Sequence, residues 1–168
     1  MHGNVSAIDA QSGWRQKIAD QLPLMGHRNW IVIVDSAYPL QASSGVETIE
    51  TGEDQLAVLD CVLEAINNSR HVRPLVYIDA ELEYVPESEA PEVDRYREQL
   101  RGRLAGLPGE SVLHENLIKR LNQAGETFNV LVLKTTMTIP YTSVFLELDC
   151  KYWGALAEAR LRTRMNAG

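Results

Sequence analysis

Three side chains in the sequence could move protons at neutral pH. His27 stands shortly before an apolar run, Trp30 to Val34, and Asp35 stands directly after it. His114 begins a later segment with helical spacing. A histidine can accept and donate a proton within one turnover because its ordinary pKa lies near neutrality, and a neighbouring carboxylate would orient its ring. The three side chains are therefore candidates for acid–base chemistry.

The positions of His27 and Asp35 pose a geometric problem. The apolar run between them is rich in β-branched residues and predicts a strand covered on both faces. A strand rises about 3.3 Å per residue, so the two side chains should lie at its opposite ends. Either they meet across a loop or a subunit boundary, or both are ordinary turn residues. His114, in turn, could be a first-turn residue of a helix capped by Ser111 or one of its neighbours.

Other kinds of site find no support in the sequence. Gly45 and Gly52 fit neither a P-loop nor the dinucleotide-binding fingerprint, and no G-x-S-x-G nucleophile motif is present. No two histidines lie four residues apart, and Cys61 and Cys150 belong to no ligand pattern, so we expect no bound metal. A formal net charge of −7 argues against a nucleic-acid partner. A small neutral ligand fits this composition better.

The elements that position these candidates follow from the hydrophobic pattern. Strands are predicted over Trp30 to Val34, Val46 to Glu50, Pro74 to Ile78, Phe128 to Thr135 and Tyr141 to Leu148. Helices are predicted over Ser12 to Leu24, Glu53 to Ile66, Glu92 to Leu104 and His114 to Leu121. Because strands and helices alternate, we expect residues 1–151 to form a single α/β domain with a central sheet flanked by helices.

The end of the chain differs in composition from the rest. Residues 152–168 predict a C-terminal helical extension with Arg160, Arg162 and Arg164, more typical of a solvated helix than of a nucleic-acid-binding arm. The start shows no basic and apolar leader, and the sequence has no run of about 18 apolar residues that could span a membrane. We therefore expect a cytoplasmic protein that does not insert into a membrane.

The first motif resembles a known family. Met25-Gly26-His27, the apolar strand and Asp35-Ser36-Ala37-Tyr38-Pro39 are similar in order and spacing to the RbsD/FucU sugar mutarotases, the D-ribose pyranases and L-fucose mutarotases. The helix start at His114-Glu115 and a closing Pro-Tyr-x-x-apolar strand at Pro140 to Leu148 add to the resemblance. Together the similar segments extend from Ser12 to Lys151.

The resemblance implies a cofactor-free isomerase that interconverts anomers or ring forms of a free monosaccharide, ribose- or fucose-like. His27 would be the principal acid/base, and Asp35 would hold the sugar or tune a proton carrier. His114 and Tyr141 would contact sugar hydroxyls or relay protons. Further candidate substrate contacts are Tyr38, Ser143 and Lys134. The family assembles into rings, commonly decamers, with sites near subunit boundaries, so ends of strands from different subunits would share one site.

The chain also departs from the family pattern. Tyr141-Thr142-Ser143 stands where Tyr-Ala/Gly-Asn is usual, and Thr136-Met137 stands where Gly-Glu is usual, which removes a carboxylate. Ser36-Ala37-Tyr38 differs as well, and Tyr38 offers a ring on which a sugar could stack. Two alternatives therefore stay open. One is a non-catalytic carbohydrate-binding or regulatory ring, and the other is a structural oligomer whose histidines are turn residues.

Overall fold

The structure, a computed structural model, describes the backbone of residues 7–168 and the side chains of residues 13–168. The strands are β1 (Trp30–Val34), β2 (Val46–Glu50), β3 (Val72–Asp79), β4 (Gly109–Val112), β5 (Val130–Lys134) and β6 (Val144–Cys150). The helices are α1 (Ala7–Gln21), α2 (Gln55–Asn68), α3 (Val93–Leu104), α4 (His114–Thr127) and α5 (Ala155–Asn166). Short 3₁₀ helices cover Leu22–Leu24 and Ala80–Tyr84.

The directions of the strands decide which side chains can meet. The six strands form one sheet in the order β2-β5-β1-β6-β3-β4. β1 is parallel to β5 and antiparallel to β6, and β6 is antiparallel to β3. β2 is parallel to β5, and β4 is parallel to β3. The carboxyl ends of β1 to β5 therefore lie at one edge of the sheet, which we call the carboxyl edge, together with the amino end of β6.

The central strand β1 is buried on both faces, as its continuous apolar sequence predicts. Ile31 and Ile33 belong to the core cluster that includes side chains of α1, α2 and α3. Val32 and Val34 belong to the opposite cluster, where Leu117 of α4 packs. Each of these five side chains is fully buried. The predicted single α/β domain with a central sheet flanked by helices is confirmed.

The edge strand β4 was not predicted, because Leu107-Pro108-Gly109 has the composition of a chain break. In the structure Gly109 begins β4 and pairs with Val76 of β3. A Cβ atom at Gly109 would lie 2.2 Å from the backbone oxygen of Val76, so only glycine lets the two strands approach this closely. Glycine usually indicates a turn, but at this position it permits strand pairing.

Two strand boundaries differ from the prediction in a way that matters for the site. β3 continues to Asp79, one residue beyond the predicted end at Ile78. β6 begins at Val144 and not at Tyr141, whose φ of 58° lies in the left-handed region and is incompatible with an extended strand. Both Asp79 and Tyr141 therefore lie at the carboxyl edge.

The last helix, α5, has no buried residue. Its apolar side chains Leu156 and Met165 are exposed to solvent in the single chain. Among the helices of the described residues, none is both long and apolar enough to cross a membrane.

Candidate functional site

The carboxyl edge of the sheet gathers most of the candidates from the sequence. Asp35 follows β1, Asp79 ends β3 and Lys134 ends β5. His114 begins α4, and Tyr141 lies in the loop that leads into β6. The strand directions thus bring acidic, basic and aromatic side chains to one edge although they are far apart in the sequence.

His114 is held at two points. Its ring atom Nδ1 lies 2.9 Å from Oδ1 of Asp79, whose side chain is fully buried. Its backbone N–H donates to both carboxylate oxygens of Glu81 at 3.1 Å. Leu113 at the N-cap of α4 forms no side-chain cap. The capping hydrogen bond predicted for Ser111 or a neighbour is made by Glu81, in the 3₁₀ helix Ala80–Tyr84. Both the ring and the backbone of His114 are therefore fixed.

Aromatic rings surround the imidazole of His114 edge-on. The ring centroids of Tyr141, Tyr38 and Phe145 lie 5.8, 6.4 and 6.5 Å from that of His114. Tyr38 and Phe145 are buried, whereas Tyr141 is 41% exposed. Tyr141 therefore forms the accessible wall beside His114.

Burial and charge shift the protonation of these groups. Burial raises the pKa of Asp35 and also that of Asp79. The hydrogen bond with Asp79 raises the pKa of His114, although partial burial acts in the opposite direction. Burial, reinforced by the charges of Asp79 and Asp35, raises the pKa of the Tyr38 hydroxyl. His114 thus binds a proton more readily than a free histidine, and Asp35 more readily than a free aspartate.

A buried polar network lies beneath this edge. The amide of Gln55, a fully buried residue of α2, donates to the backbone oxygen of Thr142 at 2.5 Å, and the hydroxyl of Tyr96 donates to the same oxygen at 2.6 Å. The hydroxyl of Thr135 lies 2.8 Å from Oε1 of Gln55 and 2.9 Å from the backbone oxygen of Val34. The network therefore joins the end of β1 to the loop that carries Tyr141.

His27 lies at the opposite edge of the sheet from His114. Its Nδ1 atom is 3.4 Å from Oδ1 of Asp149, and its side chain is 59% exposed. Arg73 donates to Oδ2 of Asp149 at 2.7 and 2.9 Å. Partial burial opposes the charged form of Asp149, but the bonds from Arg73 and other donors outweigh it and lower the pKa of that carboxyl. A fixed carboxylate therefore orients an imidazole that faces solvent in the single chain.

The expected separation of His27 and Asp35 is thus found in the structure. β1 lies between them and is roughly 16 Å long at about 3.3 Å per residue. A proton transfer needs donor and acceptor about 3 Å apart, so the two side chains of one chain do not act on the same atom.

The remaining substrate-contact candidates lie at the carboxyl edge with different exposure. Tyr38 is 4% exposed, and its hydroxyl donates to Gln41 at 3.1 Å, so in the single chain its ring face is covered. Ser143 is 2% exposed, and Lys134 is partly exposed. Burial raises the pKa of Asp35, and the positive charge of Lys134 opposes part of that rise. Among the described residues, no three His, Cys, Asp or Glu side chains cluster as ligands for a metal ion.

Four residues of this arrangement were not identified as site residues from the sequence. Asp79 had a usable signal, because it follows a predicted strand directly, as Asp35 does. Glu81 belongs to an acidic segment with the composition of an exposed connection, so its position in the sequence does not indicate a contact with His114. Asp149 and Gln55 had no local signal, because their partners His27 and Thr142 lie far away in the sequence.

The fold and the sequence assign the chain to a family. Residues 14–150 match the model of the RbsD / FucU transport protein family. This match covers most of the chain, and the chain therefore belongs to the RbsD/FucU family. No curated protein sequence matches it significantly.

Solved structures of RbsD and FucU proteins share the fold at low sequence identity. Bacillus subtilis RbsD complexed with D-ribose is 18% identical, with a TM-score of 0.58 over 89% of this chain and 96% of that one. The Streptococcus pneumoniae fucose mutarotase in complex with L-fucose is 20% identical, with a TM-score of 0.54 over 79% of this chain and 91% of that one. FucU from Bifidobacterium longum is 16% identical, with a TM-score of 0.55 over 80% of this chain and 94% of that one.

Proposed function

We propose that this chain is a monosaccharide mutarotase that interconverts anomers or ring forms of a free ribose- or fucose-like sugar. Family membership supports the reaction class, and the sugar complexes of two similar structures support the substrate class. The observation that carries the proposal is the bond between His114 and the buried Asp79 at the edge where Asp35 lies. The free thiols Cys61 and Cys150 are compatible with the cytoplasm as its compartment.

Opening a cyclic sugar requires two coupled proton transfers. A base takes the proton of the anomeric hydroxyl, the bond between C1 and the ring oxygen breaks, and an acid protonates the ring oxygen. The product is the open-chain aldehyde. Reclosure on either face of C1 reverses the transfers: the base returns its proton to the anomeric oxygen, and the acid regains a proton from the former ring oxygen. The reaction therefore needs two proton carriers and no oxidant, reductant or group donor.

His27 is proposed as one of these carriers, acting in the site of a neighbouring subunit. Its exposed imidazole, oriented by Asp149 and Arg73, is suited to enter a site that another chain completes. Such an arrangement requires that each subunit offer one edge of its sheet to the next, as in a closed ring. We propose a decameric ring, the assembly that the family resemblance implies.

Asp35, His114 and Tyr141 are proposed to act from the carboxyl edge of the same site. The raised pKa of Asp35 suits a carboxyl group that holds sugar hydroxyls and also takes part in proton exchange. The exposed ring of Tyr141 can contact the sugar directly. Tyr38, Ser143 and Lys134 are proposed as further contacts with the sugar.

The test is nuclear magnetic resonance of anomer exchange. Saturation transfer is measured on ribose, fucose and other free sugars, with and without the protein at equal pH and buffer concentration. The proposal expects faster exchange of at least one sugar, and that His27→Ala abolishes the acceleration while the oligomer persists. Exchange at the buffer rate for every sugar would contradict catalysis.

One observation favours the non-catalytic alternative, a sugar-binding protein on the same fold. Thr142 and Ser143 are both buried, and the hydroxyl of Thr142 donates to the backbone oxygen of Ile139 at 2.8 Å. That hydroxyl is used within the loop and is not offered to a ligand. Sugar-dependent chemical shifts without faster exchange would support this alternative.

A further inference from the structure

Asp79 is a buried carboxylate with a hydrogen-bond partner at only one of its two oxygens. Oδ1 lies 2.9 Å from the ring of His114, whereas Oδ2 is the buried side-chain atom without a partner among the described residues. Burying a carboxylate is costly unless it is well paired, and an unsatisfied buried oxygen adds to the cost. Because a buried, partly unpaired carboxylate lowers stability, we infer that Asp79 has a functional role.

The start of α4 does not require Asp79. Glu81 already accepts the backbone N–H of His114 with both oxygens. The aromatic rings of Tyr38, Tyr141 and Phe145 already pack around the imidazole. What Asp79 adds is a single directed bond to Nδ1, and that bond controls which ring nitrogen carries the proton.

The consequence for the imidazole is chemical. A carboxylate is an acceptor, so Nδ1 of neutral His114 must carry the hydrogen that points to Asp79. Nε2 is then the nitrogen with a free lone pair, and it accepts a proton in one step and donates it in the other. Free imidazole rings of histidine divide between two tautomers, and a fixed carboxylate selects one of them.

We propose that Asp79 is the positioning residue that makes His114 the second proton carrier of the sugar ring-opening reaction, by holding it in the Nδ1–H tautomer. This inference rests on the proposed function, which requires two carriers. His27 from the neighbouring subunit and Nε2 of His114 then supply the acid and the base. One takes the proton of the anomeric hydroxyl as the C1–ring oxygen bond breaks, and the other protonates the ring oxygen.

The first measurement uses the wild-type protein, so that folding of a variant is not in question. Histidine labelled with ¹⁵N in a perdeuterated background reports which ring nitrogen carries hydrogen, and His114→Gln identifies the signals of His114. At a pH where His114 is neutral, we expect its hydrogen on Nδ1. The Nε2–H form would overturn the proposal.

The second measurement uses two replacements of Asp79 with a matched control. Asp79→Asn keeps the shape and removes the charge, and Asp79→Leu removes the acceptor in a buried position. We expect kcat for sugar exchange to fall about 100-fold with KM within about threefold, since general acid–base groups contribute this much. We also expect the apparent pKa of His114 to fall in Asp79→Asn, because the hydrogen bond to a negatively charged group is lost.

The control is Asp60→Asn, which removes an exposed carboxylate that pairs with Arg103 at 2.8 Å. It should leave kcat and the titration of His114 unchanged. Folded Asp79 variants that keep wild-type kcat would overturn the proposal. If the wild-type protein accelerates no sugar, the proposed function fails. In that event the Nδ1–H tautomer and the lowered pKa in Asp79→Asn would still support the positioning of His114 by Asp79.

Discussion

His27 and His114 lie at opposite edges of one sheet, and each is paired with an aspartate of its own. Asp149 orients His27, whose side chain is 59% exposed, and Asp79 holds His114, whose side chain is 28% exposed. A single chain therefore carries the two proposed proton carriers at opposite edges of its sheet, and neither edge holds both. If both histidines act on one sugar, they must come from two different chains, and this can be tested.

Complementation between inactive subunits answers that question. His27→Ala and His114→Ala should each abolish sugar exchange. In rings assembled from equal amounts of both variants, about a quarter of the sites should regain both histidines, if each site takes them from different chains through a head-to-tail interface. Exchange is measured by saturation transfer after co-expression, with each variant alone as the control. Absence of recovery in mixed rings of normal size would contradict a shared site.

The pairing of His114 with Asp79 should make stability depend on pH. The folded-state pKa of His114 is raised, so its stabilising contribution is complete below about pH 6.5, the ordinary value, and is lost as pH rises through the folded value. Burial also raises the pKa values of Asp35 and Asp79. Their contribution to stability is complete below about pH 4, the ordinary value, and is lost as pH rises through the folded values, so stability again falls with rising pH but in a separate window. Tyr38, Tyr141 and Glu81 complete the titratable groups that face His114.

Denaturant unfolding of the wild type and of His114→Gln, at one protein concentration from pH 6 to pH 8.5, measures this contribution. The unfolding free energy of the wild type should fall more steeply with pH than that of the variant. Equal slopes would show that His114 titrates alike in the folded and unfolded states.

The buried amide of Gln55 should matter for both stability and sugar affinity. Gln55→Leu removes one of two donors to the backbone oxygen of Thr142 and one of the two acceptors near the Thr135 hydroxyl. We expect a loss of about 1–3 kcal/mol in unfolding free energy, the cost of unsatisfied buried groups. KM should rise because the loop that carries Tyr141 loses a tether. Gln99→Leu, at an exposed position of α3, is the control and should change neither quantity.

Gly109 should tolerate no side chain. Gly109→Ala would place a Cβ atom 2.2 Å from the backbone oxygen of Val76, so β4 must shift away from β3. We expect a destabilisation of about 1–3 kcal/mol from this overpacking. Gly102→Ala in α3 meets no atom within 4 Å and should instead stabilise the protein, since alanine favours helices. Thermal unfolding of the two variants compares them directly, and equal stability of Gly109→Ala and the wild type would contradict the steric argument.

The sequence was informative where local pattern and tertiary structure agree. The continuous apolar run of β1 predicted its bounds and its burial, and the position of Asp35 after that run predicted a residue of the carboxyl edge. β4 was missed because its first residue, Gly109, is required by a close contact with β3, which is distant in the sequence. The aspartate partners of the two histidines were missed for the same physical reason, since pairing at 2.9 or 3.4 Å depends on strand order and leaves no local pattern.

The position of β1 in the sheet has a consequence for synthesis of the chain. Trp30 pairs with Val130 on one side and with Glu147 on the other, so both neighbours of the central strand are made roughly 100 residues after it. An emerging chain that ends near residue 125 contains the most apolar strand of the sheet without either partner. Completion of the core must therefore wait until the last quarter of the chain leaves the ribosome, and until then β1 is a segment that chaperones would recognise.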